Sequence, residues 1–112
     1  MSVHARLVKR ILIALAERGV LAWAIHQGVA RPRGASHMIR FGGPPGHSDV
    51  VAYPQGRAVF LEAKSGSGRL TLEQQAFRAR VEGAGCTYII VSETDDLEGL
   101  AERIEKLEAH GG

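Results

Sequence analysis

Apolar side chains recur at helical spacing near the start of the chain. Leu7, Val8, Ile11, Leu12 and Leu15 share one face if residues 3–18 form an amphipathic helix, and Gly19 supplies its stop. The short apolar run from Val20 to His26, with Trp23 inside it and Gly19 and Gly28 around it, predicts a strand. Residues 28–36 hold Pro32, Gly34 and two arginines and predict a loop, and His37 to Phe41 predicts a second short strand. Gly42-Gly43-Pro44-Pro45-Gly46 is the strongest break in the chain. Ser48–Tyr53 and Arg57–Lys64 then predict two strands joined at Pro54-Gln55-Gly56, followed by a flexible loop over Ser65–Gly68. Thr71 with Gln74 three residues on forms a capping box for a helix that runs to about Glu82 and stops at Gly83 or Gly85. Cys86–Ser92 predicts a buried strand. A last helix, capped by Thr94 or Asp95, steps through Leu97, Leu100, Ile104 and Leu107. The order α–β–β–β–β–α–β–α predicts a mixed α/β protein built on one central sheet.

The chain has 112 residues, which favours a single domain over residues 1–112 with one real core. Its hydrophobic fraction of 45% and charged fraction of 23% exclude a fully disordered chain and a collagen-like one. No apolar run approaches the roughly 20 residues that a membrane helix needs, so a cytoplasmic protein is expected. The lone Cys86 cannot close an intrachain disulfide and reads as a small core residue.

Charge changes the picture more than composition does. Residues 1–69 carry ten Lys/Arg against three Asp/Glu, whereas residues 70–112 carry four against nine. The overall charge of +2 therefore hides a basic segment of net +7, the kind that phosphates attract. The few aromatic residues do not interleave with arginine, which gives little support to a base-stacking platform.

The residues that suggest chemistry lie on the two joined strands. Side chains two apart on a strand share a face, so Glu62 and Lys64 point one way and Leu61 and Ala63 the other. A carboxylate and an ammonium near the centre of a sheet require compensation, and a divalent cation supplies it. Asp49, at the start of the neighbouring strand, joins Glu62 and the backbone carbonyl of Ala63 as an oxygen-donor set suited to Mg²⁺ or Mn²⁺. The competing reading is a local ion pair on a solvated strand face.

Asp49, twelve intervening residues and Glu62-Ala63-Lys64 match the D-x(n)-E-x-K core of the PD-(D/E)XK nucleases. More of the chain fits one branch of them. The helix ending in Gly before an apolar strand (Leu15 to Trp23), Arg40-Phe41-Gly42 before the Asp, and Gly68-Arg69-Leu70-Thr71-Leu72-Glu73-Gln74 after the Lys all take part. With the closing strand over Gly85 to Val91, residues 4–105 resemble the virus-type replication-repair nuclease (VRR-NUC) domain in its compact stand-alone form, which suits a phage genome.

The resemblance implies a restriction-endonuclease-like fold, a central mixed sheet flanked by helices. It implies a Mg²⁺- or Mn²⁺-dependent DNA endonuclease with structure-selective or low-specificity cleavage, of junctions or flaps, in DNA repair. Asp49 and Glu62 correspond to the metal carboxylates, Lys64 to the catalytic lysine and Gln74 to a helix Gln that reaches the site. The sequence departs from the family twice. Ser48 stands where Pro is preferred, and His4 stands where an acid on the first helix usually completes the site, the only acid of that helix being Glu17 near its far end. His4 is thus a candidate metal ligand. Arg31, Arg33, Arg40 and Arg69, with His47, are candidates for phosphate contact. A homodimer is expected, with the apolar final helix as its interface. The alternative is a non-catalytic nucleic-acid-binding module on a nuclease scaffold.

Overall fold

The computed structural model describes residues 1–107; residues 108–112 of the expected domain lie outside the described residues. Among the described residues nine elements follow one another: α1 (Val3–Glu17), β1 (Leu21–Ala24), β2 (Gly28–Ala30), β3 (Ile39–Phe41), β4 (Val50–Tyr53), β5 (Val59–Lys64), α2 (Leu72–Gly83), β6 (Thr87–Ser92) and α3 (Leu97–Glu105). The main sheet has the order β1-β4-β5-β6. β4 is antiparallel to both β1 and β5, while β5 and β6 run parallel with α2 as their crossover. The protein is therefore mixed α/β, a four-stranded mixed sheet with three helices. Among the described residues no helix is long and apolar enough to cross a membrane.

Helix α1 begins where Ser2 Oγ accepts a hydrogen bond from the Ala5 N–H at 3.0 Å. It ends in a Schellman motif: Gly19, at φ +70°, donates to the Ala16 carbonyl, and Val20 donates to that of Leu15. Leu7, Ile11 and Leu15 form its buried stripe. They pack with Val50, Ala52, Val59, Leu61, Ala63 and Val91 of the sheet and with Leu97, Leu100, Ala101 and Ile104 of α3. So α1 and α3 cover one sheet face. The opposite face carries α2, whose Phe77 and Val81 meet Tyr88 and Phe60. The alternation along β5 is thereby explained: Val59, Leu61 and Ala63 face α1 and α3, and Phe60, Glu62 and Lys64 face the α2 side.

Four expectations need correction. Residues 28–30 form β2, a strand antiparallel to β3, where a loop is expected. The signal is weak because the strand has only three residues. Its anchor is Gly28 opposite Phe41, whose ring occupies the space a Cβ would need. The final helix is capped by Asp96, whose Oδ1 accepts from the Gly99 N–H at 3.1 Å, and not by Thr94 or Asp95. Asp95 folds back to accept from the Ser92 N–H instead. Leu107 lies beyond α3, which closes at Glu105. The fourth concerns the apolar face of α3. It is spent on the chain's own core and is not free for a second copy. Of the two proposed stops for α2, Gly85 takes the positive φ and the Schellman bond to Glu82, and Gly83 is the last helical residue.

Candidate metal centre

The pairing of β4 with β5 runs from Ala52↔Val59 to Val50↔Leu61. One further step in the same register sets Asp49 opposite Glu62. That is the physical meaning of their spacing: a hairpin turning at residues 55 and 56 brings two carboxylates to one end of two central strands. Asp49 stays in the sheet on its other side, where its carbonyl accepts from the Ile25 N–H at 2.8 Å. Its Oδ2 accepts from the Ala63 N–H at 2.8 Å, taking a donor that β4 no longer reaches. The N–H and C=O of a strand residue leave on the same edge, so the Ala63 carbonyl also opens toward Asp49. Ser48, just before it, is buried, and its hydroxyl donates to the Val50 carbonyl at 3.1 Å. A hydrogen bond thus secures the turn where the nuclease pattern has a proline ring.

His4 comes from α1, one turn before Leu7 on the same stripe, and its Nε2 lies 3.1 Å from Asp49 Oδ2. One ligand atom from each of His4, Asp49 and Glu62 falls within 4.8 Å of the others. Gln74 reaches the cluster from α2. Its Oε1 accepts from the Thr71 N–H at 2.9 Å, and its Nε2 donates to Glu62 Oε2 at 3.2 Å. The helix cap and the site contact are the same side chain, because the capping box turns the free end of the amide toward β5. Lys64 Nζ stands 3.8 Å from the same Glu62 oxygen.

Glu62 is the most constrained group of the cluster. It is 2% exposed, and its Oε1 is buried with no hydrogen-bond partner. Burial first, and the facing Asp49 carboxylate second, push its carboxyl from the ordinary 4.5 up to about 8, against the pull of Lys64. A buried carboxylate oxygen without a donor is costly in a protein alone, and a cation bound there would remove that cost. The donor set, two carboxylates, a carbonyl and an imidazole, fits a divalent cation. The oxygens suit Mg²⁺ or Mn²⁺, and the imidazole favours Mn²⁺ of the two.

Two clefts flank the cluster. One, of about 450 Å³, is lined by His4, Val8, Leu12, Ile25, His26 and Asp49 among others and is largely apolar. The other, of about 550 Å³, lies on the Lys64 side between the β5–α2 loop, α2 and β6, and contains Arg69 and Arg78.

The structure therefore brings together Asp49, Glu62, Ala63, Lys64, Gln74 and His4. It places Arg69 in the cleft next to Lys64. Arg31, Arg33 and Arg40 are exposed on the β2–β3 ribbon and its connecting loop. His47 is half-buried beside α2: its ring packs on Phe77 at 4.5 Å and on Phe60 at 5.7 Å between ring centres, and its Nδ1 lies 2.9 Å from the Ser48 carbonyl. Sequence reasoning passed over Arg78 and Ile90. Arg78 stands one turn after Gln74, and Ile90 is opposite Glu62 in the β5–β6 register, a relation visible only once the parallel pairing is known.

Comparison of the chain with protein-family models, with curated proteins and with solved structures gave no match to any of them.

Proposed function

We propose that the protein is a Mg²⁺- or Mn²⁺-dependent deoxyribonuclease of the PD-(D/E)XK kind, of the virus-type replication-repair class, that cuts DNA by its shape more than by its sequence. One observation carries this reading: Glu62, buried with an unpartnered oxygen, sits beside Asp49 and His4 at the end of the central strands with Lys64 alongside. Lys64 and Gln74 both meet Oε2, so the local ion pair and the amide leave Oε1 to face another partner.

Asp49, Glu62, the Ala63 carbonyl and His4 would hold the cation. When bound, it supplies Lewis acidity toward a phosphoryl oxygen and a water acidic enough to act as nucleophile at neutral pH. The protein's own groups have separate tasks. The Lys64 ammonium offsets negative charge that builds on the phosphoryl oxygens. Gln74 holds one Glu62 oxygen, and the other would be left for the cation. Arg69 and the ribbon arginines Arg31, Arg33 and Arg40 contact backbone phosphates, which position a strand without reading bases.

The test is incubation of supercoiled plasmid, single-stranded DNA, a flap and a four-way junction with protein and Mg²⁺ or Mn²⁺, alongside Glu62→Gln. Cleavage by the wild type alone is the expected result. DNA binding with no cleavage of any substrate would instead establish the non-catalytic binding module. A homodimer belongs to the same proposal. Its contact surface would be the apolar patch of Leu21, Trp23 and Tyr53, which α2 leaves exposed, and Trp23→Glu would then shift the protein to monomer in sedimentation equilibrium.

A further inference from the structure

We propose that the cleft between the β5–α2 loop, α2 and β6 is a subsite for one nucleotide flanking the scissile phosphate, with Arg78 as its principal phosphate contact. This rests on the nuclease reading of the neighbouring cluster. The cleft begins at Lys64, whose ammonium is 3.8 Å from Glu62, so anything seated in it is continuous with the cation site. Its volume, about 550 Å³, lies within the range of small-ligand sites and is large enough for a nucleoside monophosphate. Its lining has two parts. Lys64, Arg69 and Arg78 supply positive charge, and Leu70, Ala79 and Ile90 supply an apolar floor. Phosphate on one side and sugar and base on the other satisfy both.

Two details support a prepared site. Ile90 is an apolar residue left 42% exposed in the middle of β6, opposite the buried Glu62 in register, and a base or sugar laid on it would cover it. Arg78 has two neighbours that orient it. Its guanidinium lies 5.5 Å from the centre of the Tyr88 ring, and its Nε is 3.4 Å from Glu82 Oε1. Holding the fork in this way lowers the entropy lost when it closes on a phosphate. Glu82 at the rim balances the arginine and leaves two terminal nitrogens for the phosphate.

The experiment is fluorescence anisotropy of a labelled short single-stranded DNA with the full protein in EDTA, which holds cleavage off, across a series of salt concentrations. Arg78→Ala should weaken binding by about tenfold and flatten the salt slope by about 0.7, the share of one phosphate contact on a single strand. Arg78→Lys should recover part of the affinity. Ile90→Glu, at a position 42% exposed, should weaken binding without removing any basic side chain. Urea midpoints of the variants separate a folding defect from a binding one. Wild-type affinity and slope in both Arg78→Ala and Ile90→Glu would overturn the subsite, while plasmid cleavage by the same wild-type protein would leave the nuclease reading standing. Conversely, the expected losses together with no cleavage of any DNA would keep the cleft as a nucleotide site of a non-catalytic binding module and overturn the nuclease reading, and with it the placement beside a scissile phosphate.

Discussion

Replacing Glu62 by Gln should abolish cation binding and, at the same time, stabilise the cation-free protein at neutral and alkaline pH. The side chain is 2% exposed and faces Asp49, and its carboxyl is pushed from 4.5 to about 8. A carboxyl raised in the folded state binds more protons there than in the unfolded chain. Its contribution is full below about pH 4.5 and is lost progressively as pH rises to about 8. Each decade is worth about 1.4 kcal/mol, so by pH 7, two and a half decades into that window, about 3 kcal/mol is gone. The amide introduced by Glu62→Gln resembles the protonated acid. Its carbonyl can accept from Gln74 Nε2, which now bonds Glu62 at 3.2 Å, and its NH₂ group can donate toward Asp49, so the variant's stability should not track this window. Urea unfolding of both proteins in EDTA, at intervals from about pH 5 to pH 8.5, reads the difference directly. The wild type should lose stability across the series relative to Glu62→Gln, with the variant the more stable at pH 8, and Mn²⁺ should restore the wild type alone. Parallel pH profiles, or a variant less stable throughout, would refute the burial of a strained carboxylate and with it the physical case for a cation site.

His4→Glu makes the donor set entirely oxygen, so calorimetric titrations should show the preference for Mn²⁺ over Mg²⁺ narrowing; an unchanged ratio would mean His4 is no ligand. Gln74→Ala removes both the return bond of the capping box and the donor to Glu62, and should cost about 1–2 kcal/mol in urea unfolding. Gly46 has φ +82° and a Cβ there would overlap the Glu73 carbonyl at the start of α2, so Gly46→Ala should lower stability by more than about 2 kcal/mol, seen as a fall in thermal midpoint.

The carboxylate pair was legible only in part: strands joined at Pro54-Gln55-Gly56 bring Asp49 and Glu62 to the same end, but a turn centred on Gln55 would set Asp49 opposite Leu61, and the observed pairing of Ala52 with Val59 is one residue away, which is what places Asp49 opposite Glu62. The stripe of Leu7, Ile11 and Leu15 was legible because helical spacing is local, and His4 follows as the next position along it. Gln74 illustrates the opposite case. Its spacing from Thr71 explains a cap completely, and nothing local reveals that the other end of the same amide reaches β5. The cleft was invisible because it depends on parallel pairing of β5 with β6, which is set by a crossover helix and not by a turn. β2 escaped notice because three residues with a leading Gly carry no alternation, and the packing of His47 because its aromatic partners come from β5 and α2. Asp95 and Asp96 show how two adjacent residues of equal capping propensity are separated only by which backbone N–H each one meets.

The central claim is that His4, Asp49 and Glu62 hold a divalent cation. Calorimetric titration of metal-free protein with Mn²⁺, beside Glu62→Gln, tests it most directly. The expected result is saturable binding at one site per chain, with release of protons near neutral pH as Glu62 ionises, and loss of that binding in the variant. No saturable binding by the wild type, or equal binding by Glu62→Gln, would contradict it.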